Sequence, residues 1–281
     1  MRPAQWTKNF LLFAGLLFSH NLLSLVLLLK VVAGFGIFCL LTGGIYIIND
    51  LVDLKKDQQH PLKRQRPIAA GKLSVSLAKK IAVILLISSL VLAYELDSSF
   101  ALVCLSYAGM MLAYTVYLKK IAILDVIVIS LGFVLRAVAG AVIIHVEISP
   151  WLLVCTLFLS LFLVLSKRRH EMVLLGKEAN NHRHSLSEYS PQLLDQMIAV
   201  VTGSALLAYT LYTLAPRTQT EVGTTYLITT IPFVIFGIFR YLYLVYKGNQ
   251  GGNPEILILS DKPLVLDVVL WIVVVVLILY F

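Results

Sequence analysis

The sequence has little charge and little cysteine for its length. Only 14% of its 281 residues are charged and three are cysteine, whereas a soluble domain has about 25% charged residues. Three is an odd number for disulfide pairing, and the spacing of Cys39, Cys104 and Cys155 matches no metal-binding motif. Together with an apolar share of 59%, these shortages exclude an ordinary soluble enzyme, a disordered chain and a disulfide-stabilised secreted domain.

Apolar residues are concentrated in long runs, and the mean hydropathy is +0.89. A helix crosses the hydrocarbon core of a membrane with about 20 mostly apolar residues, and no two-residue alternation indicates barrel strands. The first run is too long for a signal peptide, and no cleavage-site pattern follows it. We expect one all-α transmembrane domain over 1–281 with nine spanning helices. The predicted spans are 10–29, 31–48, 77–96, 100–118, 123–144, 151–166, 193–214, 225–245 and 264–281.

The basic residues predict the orientation of these spans. Of the 23 Lys and Arg residues, 20 fall on the side of the N-terminus, and the opposite side holds only Lys30 and Arg217. Because basic residues mark cytoplasmic loops, we expect a cytoplasmic N-terminus in a bacterial or archaeal cell membrane. The cytoplasmic active-site loops are predicted at about 49–76, 118–124 and 166–192. The basic residues are dispersed beside the bilayer, so nucleic acid is not expected as a partner.

Three aspartates follow the second predicted span. Asp50, Asp53 and Asp57 are spaced so that a helix would place them on one face. Like charges on one face repel, and acids near a helix C-terminus oppose the helix dipole. A cation between the carboxylates would relieve both effects, and Mg²⁺ binds such oxygen ligands together with substrate phosphates. The spacing therefore predicts a magnesium site.

Basic side chains follow the aspartates directly. They are His60, Lys63, Arg64, Arg66 and Lys72. An acidic metal face beside such a cluster matches a Mg²⁺–diphosphate ligand that carries a further anionic group. The alternative is a solvated loop whose basic residues only set the topology, which leaves the three aspartates unexplained.

Further charged residues lie near or inside the predicted membrane. Lys119 follows Tyr114 at the end of the fourth span, and the sixth span is followed by the basic stretch 167–169. Arg136 falls within the fifth span, where a charge usually faces the bundle interior. We expect it to line a cavity and bind an anionic headgroup, with a structural pairing to Asp195 or Asp267 as the alternative. The stretch 167–169 could equally contact anionic lipid.

Several motifs resemble a known family. The Asn-Asp-x-x-Asp-x-x-x-Asp motif at 49–57 and the number of spans resemble the UbiA-type intramembrane prenyltransferase superfamily. RPAQWTKN at 2–9, SKRRHE at 166–171 and PEILILSDKPLVLDVVLW at 254–271 resemble its decaprenyl-phosphate phosphoribosyltransferase branch. The resemblance implies nine transmembrane helices around a central cavity, with Mg²⁺–diphosphate at its cytoplasmic mouth and a role in cell envelope biosynthesis.

The loop after the sixth span distinguishes between substrates within that superfamily. Aromatic prenyltransferases carry a second acidic D-x-x-x-D motif there, whereas this chain has KRRHEMVLLGKEANN. One acidic cluster facing two basic ones suits phosphoribosyl diphosphate, which has a diphosphate at one end and a phosphate at the other. The resemblance thus implies a Mg²⁺-dependent transfer of 5-phosphoribose to a polyprenyl phosphate, with inversion at C1.

The same resemblance assigns roles to individual residues. Asp50, Asp53, Lys119 and Arg136 are the expected catalytic residues, and Asp50, Asp53 and Asp57 the expected metal ligands. The expected substrate-binding residues are Lys8, Asn9, Asn49, His60, Lys63, Arg64, Arg66, Tyr114, Lys167, Arg168 and Arg169.

Three questions stay open at this point. The chain could instead transfer a prenyl group from its diphosphate to an aromatic acceptor. It could also be a non-enzymatic transporter or lipid carrier, although no internal repeat favours this. Assembly into a homo-oligomer is a further possibility that the sequence does not decide.

Overall fold

Helices make up almost the whole of the protein. The computed structural model describes residues 3–59, 63–147, 149–175, 184–247 and 254–280, and this part of the chain contains no strand. The α-helices are α1 (Phe13–Phe18), α2 (Leu25–Val52), α3 (Leu54–Gln59), α4 (Val75–Leu96), α5 (Ser98–Val116), α6 (Leu124–Val142), α7 (Pro150–Leu175), α8 (Pro191–Leu214), α9 (Pro216–Val222), α10 (Ile231–Lys247), α11 (Pro254–Ser260) and α12 (Lys262–Tyr280).

Eight of these helices, α2, α4–α8, α10 and α12, are long and apolar enough to cross a membrane, α10 together with a preceding 3₁₀ turn. Many of their large apolar side chains are exposed, including Ile84, Leu102, Val200 and Phe239. Such a surface is stable only against lipid, because exposed apolar area in water is unfavourable. The all-α membrane fold predicted from the sequence is therefore confirmed.

The first crossing differs from its prediction. Instead of one helix over 10–29, a 3₁₀ helix (Pro3–Leu12) leads into α1, and α2 already begins at Leu25. The chain turns between them at His20, whose φ is +58°. The predicted run merged the end of one segment with the start of the next because both are apolar. Together the 3₁₀ helix and α1 lie along α6, whereas the eight helices given above are the ones in the described part of the chain that are long and apolar enough to span a membrane.

Helix α6 occupies the centre of the bundle. Ile143, directly after its last turn, is buried against Leu12 and Phe38 in one apolar cluster. Val126 in its first turn is buried against Phe162 in a second cluster. Because α6 contributes to both, it links the N-terminal helices to the C-terminal ones, and its first turn lies where the two halves meet.

Helix α7 extends further than the sequence predicted. The predicted span ended at residue 166, whereas the helix continues to Leu175. The stretch 167–169 is therefore part of a helix and not of a loop. Acidic partners on neighbouring helices compensate its charges, as described below, so the drop in hydropathy does not mark the end of the helix.

Candidate active site

A cavity of about 540 Å³ opens where α2, α5 and α7 end and α6 begins. Ile45, Met111 and Phe133 form part of its apolar wall. Among the described residues, three acidic side chains line it, those of Asp53, Asp57 and Glu171, against eight basic ones. The basic residues are Lys8, Lys56, Lys63, Arg66, Lys119, Lys120, Lys167 and Arg168. This excess of positive charge suits a ligand with several phosphate groups.

Arg66 connects two of the three aspartates. Its Nη1 lies 3.1 Å from Oδ1 of Asp50 and 2.5 Å from Oδ2 of Asp57. The aspartates do not share one regular helix as predicted, because α2 ends at Val52 and Asp57 belongs to α3. The backbone N–H of Asp57 still donates to the carbonyl of Asp53 at 2.8 Å. The two helices are therefore nearly continuous, and the carboxylates stay close together.

Asp57 is buried, with 4% of its surface exposed. Burial raises the pKa of its carboxyl above the usual value, and the Arg66 guanidinium offsets part of this rise. The negative charge of Asp50 acts in the same direction as burial. Burial and Asp50 thus disfavour the ionised form of Asp57, whereas the Arg66 guanidinium favours it.

Lys119 binds the third aspartate. It lies on a 3₁₀ turn (Leu118–Lys120) after α5, and its Nζ is 2.7 Å from Oδ1 of Asp53 and 3.4 Å from Oδ1 of Asn49. Lys119, Asn49 and Asp53 all line the cavity, as does Tyr114. Asp50 is not among the lining residues, and it reaches the site through Arg66.

Arg168 lies between two acids at the end of α7. Its Nε donates to Oδ2 of Asp125 at 3.1 Å, and its Nη1 donates to Oε2 of Glu171 at 2.7 Å. Asp125, at the start of α6, is fully buried and also accepts hydrogen bonds from Ser185 and Tyr189. Arg168 and Lys167 also line the cavity, from α7.

The prediction that Arg136 lines the cavity was wrong. Its side chain is almost fully buried and donates to Oδ1 of Asn9, the carbonyl of Gly132 and the hydroxyl of Tyr107. Its guanidinium also lies 5.4 Å from the ring centre of Phe133, which forms the cavity wall. Neutral hydrogen-bond acceptors and aromatic rings therefore stabilise the positive charge of Arg136, which lies behind the cavity wall.

Neither acid suggested as the alternative partner of Arg136 contacts it. Asp195 binds Arg169 at 2.5 Å, and Asp267 lies against Gly237 of α10. Asn9, predicted to bind substrate, is fully buried and donates to Cys39 and Thr42. Asn9 and Arg136 thus hold the N-terminal 3₁₀ helix in place, while the adjacent Lys8 reaches the cavity.

Two other predicted residues do not line the cavity. Arg169 binds Asp195, and its guanidinium stacks on Tyr246 at 4.0 Å. Arg64 is exposed outside the cavity. His60 lies outside the residues that the structure describes.

The family follows from comparison with known proteins. The model of the UbiA prenyltransferase family matches residues 9–259, which is most of the chain. The chain belongs to the UbiA prenyltransferase family.

Curated relatives of this UbiA-family chain cover nearly its whole length. It is 34% identical over 285 residues to decaprenyl-phosphate phosphoribosyltransferase of Corynebacterium glutamicum, covering 100% of this chain and 85% of that protein. It is 35% identical over 280 residues to the protein of the same name from Mycobacterium tuberculosis, covering 97% of this chain and 90% of that protein.

Solved structures of other UbiA-family members share the fold. A UbiA homolog from Archaeoglobus fulgidus, bound to GPP and Mg²⁺, superimposes with a TM-score of 0.73 at 19% identity, covering 100% of this chain and 98% of that one. A homolog from Aeropyrum pernix gives a TM-score of 0.69 at 13% identity, covering 96% of this chain and 98% of that one.

The oxygen donors of the UbiA-family site suit a hard divalent cation. Asn49, Asp53 and Asp57 present amide and carboxylate oxygens to the cavity, and Mg²⁺ typically binds one or two carboxylates plus substrate phosphates. Within the described ranges, no group of three His, Cys, Asp or Glu side chains is placed to hold a metal ion. The carboxylates of Asp53 and Asp57, which line the cavity, match the one or two that Mg²⁺ takes beside phosphate oxygens.

Sequence reasoning did not select several cavity residues. Gln5, Tyr46, Lys56 and Glu171 all line the cavity. Tyr46 lies three residues before Asn49, so the helical period alone could have placed both on one face. Lys56 is similarly three residues after Asp53. Gln5 had no such signal, because the N-terminal segment forms an unusual 3₁₀ helix.

Proposed function

We propose that this protein is a glycosyltransferase that moves 5-phosphoribose from phosphoribosyl diphosphate to a polyprenyl phosphate and releases diphosphate. The observation that carries this proposal is the composition of the cavity, in which basic residues surround two aspartates above an apolar wall. Curated relatives at 34% and 35% identity bear the name decaprenyl-phosphate phosphoribosyltransferase, which supports the same reaction.

The two basic groups of the cavity match the two ends of phosphoribosyl diphosphate. Lys63, Arg66 and Lys119 lie near the aspartates, where they would bind the diphosphate together with the metal. Lys167 and Arg168 line the cavity from a different helix, α7, where they would bind the 5-phosphate. Guanidinium and ammonium groups form strong charge-assisted hydrogen bonds with phosphate oxygens.

Asp50, Asp53 and Asp57, with Asn49, are the proposed ligands of Mg²⁺. When bound, the metal supplies Lewis-acid chemistry, since it neutralises charge that develops on the leaving diphosphate. Lys119 and Arg66 contact the same carboxylates. These cations therefore hold the carboxylates in place before the substrate arrives.

The lipid substrate would enter beside the N-terminal 3₁₀ helix. Lys8 lines the cavity with its Nζ 5.7 Å from the ring centre of Phe133, so it can hold the lipid phosphate above the apolar wall. Because that phosphate is already ionised, no strong general base is required. Its oxygen would form a bond to C1 of the ribose as the C1–diphosphate bond breaks. Attack from the opposite side inverts C1 and gives a β-linked product, with catalysis by positioning and electrostatics.

We further propose that the cavity faces the cytoplasm of a bacterial or archaeal cell. The protein is an integral membrane protein, and 20 of its 23 Lys and Arg residues belong to the N-terminal side. The positive-inside rule then orients that side towards the cytoplasm, where a soluble phosphoribosyl diphosphate would be available.

A transfer assay tests the proposed reaction. Detergent-solubilised protein receives Mg²⁺, decaprenyl phosphate and phosphoribosyl diphosphate labelled in the ribose, and the label in a butanol extract is measured. We expect Mg²⁺-dependent label in the lipid fraction. Label that stays in the aqueous phase, combined with turnover of a prenyl diphosphate onto 4-hydroxybenzoate, would replace this proposal with the aromatic prenyltransferase alternative.

The metal assignment is tested in the same assay with Asp50→Ala. Removal of this carboxylate should lower Mg²⁺-dependent transfer at least ~100-fold, as losses at charge-stabilising groups usually do. The matched control is Glu95→Gln, which changes an exposed acid outside the cavity. Full Mg²⁺-dependent transfer by the Asp50→Ala protein would overturn the assignment.

A further inference from the structure

One edge of the Arg168 guanidinium is unused by the protein. Nε and Nη1 donate to Asp125 and Glu171, whereas Nη2 forms no hydrogen bond with the described residues. Nη2 is not fully buried, because it does not belong to the fully buried side-chain atoms that lack a partner. Because Arg168 lines the cavity, this edge is available to a ligand there. The two acids fix the other edges, so they determine the direction in which Nη2 points.

Asp125 is itself held by residues of the segment 184–190. Tyr189 donates its hydroxyl hydrogen to Oδ1 of Asp125 at 2.9 Å, and Ser185 donates to Oδ2 at 3.2 Å. Arg168 shares Oδ2 with Ser185. Tyr189, Ser185 and Arg168 are all buried. A shift of the Tyr189 hydroxyl would therefore move the Asp125 carboxylate and, with it, the guanidinium of Arg168.

The hydroxyl of Tyr189 also accepts a hydrogen bond from the backbone N–H of Ile123 at 2.6 Å. Ile123 has a φ of +68°, a conformation that is unfavourable for a β-branched residue. Strained backbone of this kind persists only where the surrounding structure holds it, and it is concentrated at functional sites. Tyr189 thus holds both the turn before α6 and the first carboxylate of α6.

The hydroxyl group stays protonated under ordinary conditions. Burial and the adjacent Asp125 carboxylate raise the pKa of Tyr189 above its usual value. The group can therefore donate to Asp125 throughout the working range of pH. Phenylalanine at this position would keep the ring and remove both hydrogen bonds.

We propose that Tyr189 is a positioning residue that acts through Asp125 to orient Nη2 of Arg168 towards an anionic group of phosphoribosyl diphosphate. The inference rests on the proposed function, because it assigns the ligand of Arg168 from that reaction. Tyr189 does not line the cavity itself, so its effect on the substrate is indirect. It should affect the soluble substrate and leave the lipid substrate unaffected, because Lys8 lies on a separate segment.

The first test is steady-state kinetics of Tyr189→Phe in the transfer assay. We expect the KM for phosphoribosyl diphosphate to rise about 10-fold, as for the loss of a hydrogen bond to a charged group, with the KM for decaprenyl phosphate unchanged. The control is Tyr209→Phe, which also removes a buried hydroxyl with two partners, Thr230 and Trp271, away from the cavity. An unchanged KM for phosphoribosyl diphosphate, or equal changes in both KM values, would overturn the inference.

The second test asks whether Tyr189 acts through Arg168. Arg168→Lys removes the oriented Nη2, so adding Tyr189→Phe to it should raise the KM for phosphoribosyl diphosphate little further. Additive effects of the two substitutions would contradict the proposed coupling, because independent sites add. Melting temperatures of all variants in detergent show whether a variant has simply lost stability. A purely structural role would lower the melting temperature of Tyr189→Phe and leave the KM ratio of the two substrates unchanged.

Failure of this inference differs from failure of the proposed function. If wild-type protein transfers no ribose label to lipid, the proposed function is wrong. If wild-type protein transfers label and Tyr189→Phe has wild-type kinetics, only the role of Tyr189 is wrong.

Discussion

The ammonium group of Lys119 lies 2.7 Å from the carboxylate of Asp53, although 66 positions separate the two residues. The pair joins the turn after α5 to the end of α2 at the mouth of the cavity. Asp53 is 24% exposed and Lys119 14%, so both are accessible to a ligand that enters. A phosphate group could bind the lysine while a metal binds the aspartate.

This pair predicts the effect of Lys119→Met. Without the ammonium group, the negative charge of Asp53 would repel the diphosphate, and one phosphate ligand would be lost. We expect kcat/KM for phosphoribosyl diphosphate to fall about 10-fold or more. Lys80→Met, on an exposed position of α4 outside the cavity, is the matched control. Wild-type kcat/KM in the Lys119→Met protein would contradict a role in substrate binding.

The contact between Gly140 and the N-terminal 3₁₀ helix predicts a stability effect. A Cβ atom on Gly140 would lie 1.9 Å from the carbonyl oxygen of Leu12, so Gly140→Ala must push the 3₁₀ helix away from α6. We expect a destabilisation of about 1–3 kcal/mol, measured as a lower melting temperature in detergent. Gly109→Ala is the control, because its Cβ would meet nothing within 4 Å. Equal melting temperatures of the two variants would show that the helices are not packed this closely.

The buried hydrogen bonds of Arg136 predict that Arg136→Lys lowers the stability of the protein and leaves its affinity for substrate unchanged. Lysine cannot donate to Asn9, Gly132 and Tyr107 in the geometry of a guanidinium, so Arg136→Lys leaves buried polar groups without partners. We expect a destabilisation of about 2–4 kcal/mol and a KM for phosphoribosyl diphosphate that equals the wild-type value. Tyr107→Phe removes one of the three acceptors and should show a smaller effect. A raised KM at unchanged melting temperature would instead place Arg136 in contact with substrate.

The ion pair of Arg240 and Asp261 predicts that the folded protein loses stability at acidic pH. Arg240 donates to both carboxylate oxygens, at 3.1 and 2.8 Å. These hydrogen bonds hold the pKa of Asp261 below its usual value. The carboxylate therefore stabilises the fold fully above its unfolded pKa of about 3.9, and this contribution is lost as the pH falls through the lower folded pKa.

Melting temperatures of wild-type protein and Asp261→Asn, measured from pH 6 to pH 3, test this dependence. The wild-type melting temperature should exceed that of the variant at pH 6, and the difference should shrink towards pH 3. Glu95→Gln, which changes an exposed acid, should not alter the acid dependence. A constant difference between wild type and Asp261→Asn at every pH would disprove the prediction.

The sequence allowed most of the fold to be predicted, because transmembrane helices depend on hydropathy and length. The later spans lie close to their predicted bounds, and the prediction of a membrane transferase of the UbiA family is confirmed. The first crossing was placed wrongly because the apolar run continues through the turn at His20. The end of α7 was placed too early because Asp125 and Asp195, which compensate its charges, are distant in sequence.

The site was harder to predict than the fold. The residues near the aspartates could be selected because they lie in one motif, and Lys63, Arg66 and Lys119 do line the cavity. The position of Arg136 could not be predicted, because its acceptors Asn9 and Tyr107 come from two other segments. A buried arginine without an acidic partner resembles a functional charge when only its own helix is considered.

The tight winding of the N-terminal 3₁₀ helix sets how far a short segment can reach. Ten residues in a 3₁₀ helix followed by six in α1 rise about 2.0 and 1.5 Å each, so the segment is about 29 Å long. That length nearly equals the hydrocarbon thickness of a bilayer, about 30 Å. The segment therefore extends as far as a spanning α-helix with fewer residues, and a hydropathy window sized for α-helices places the first helix too late.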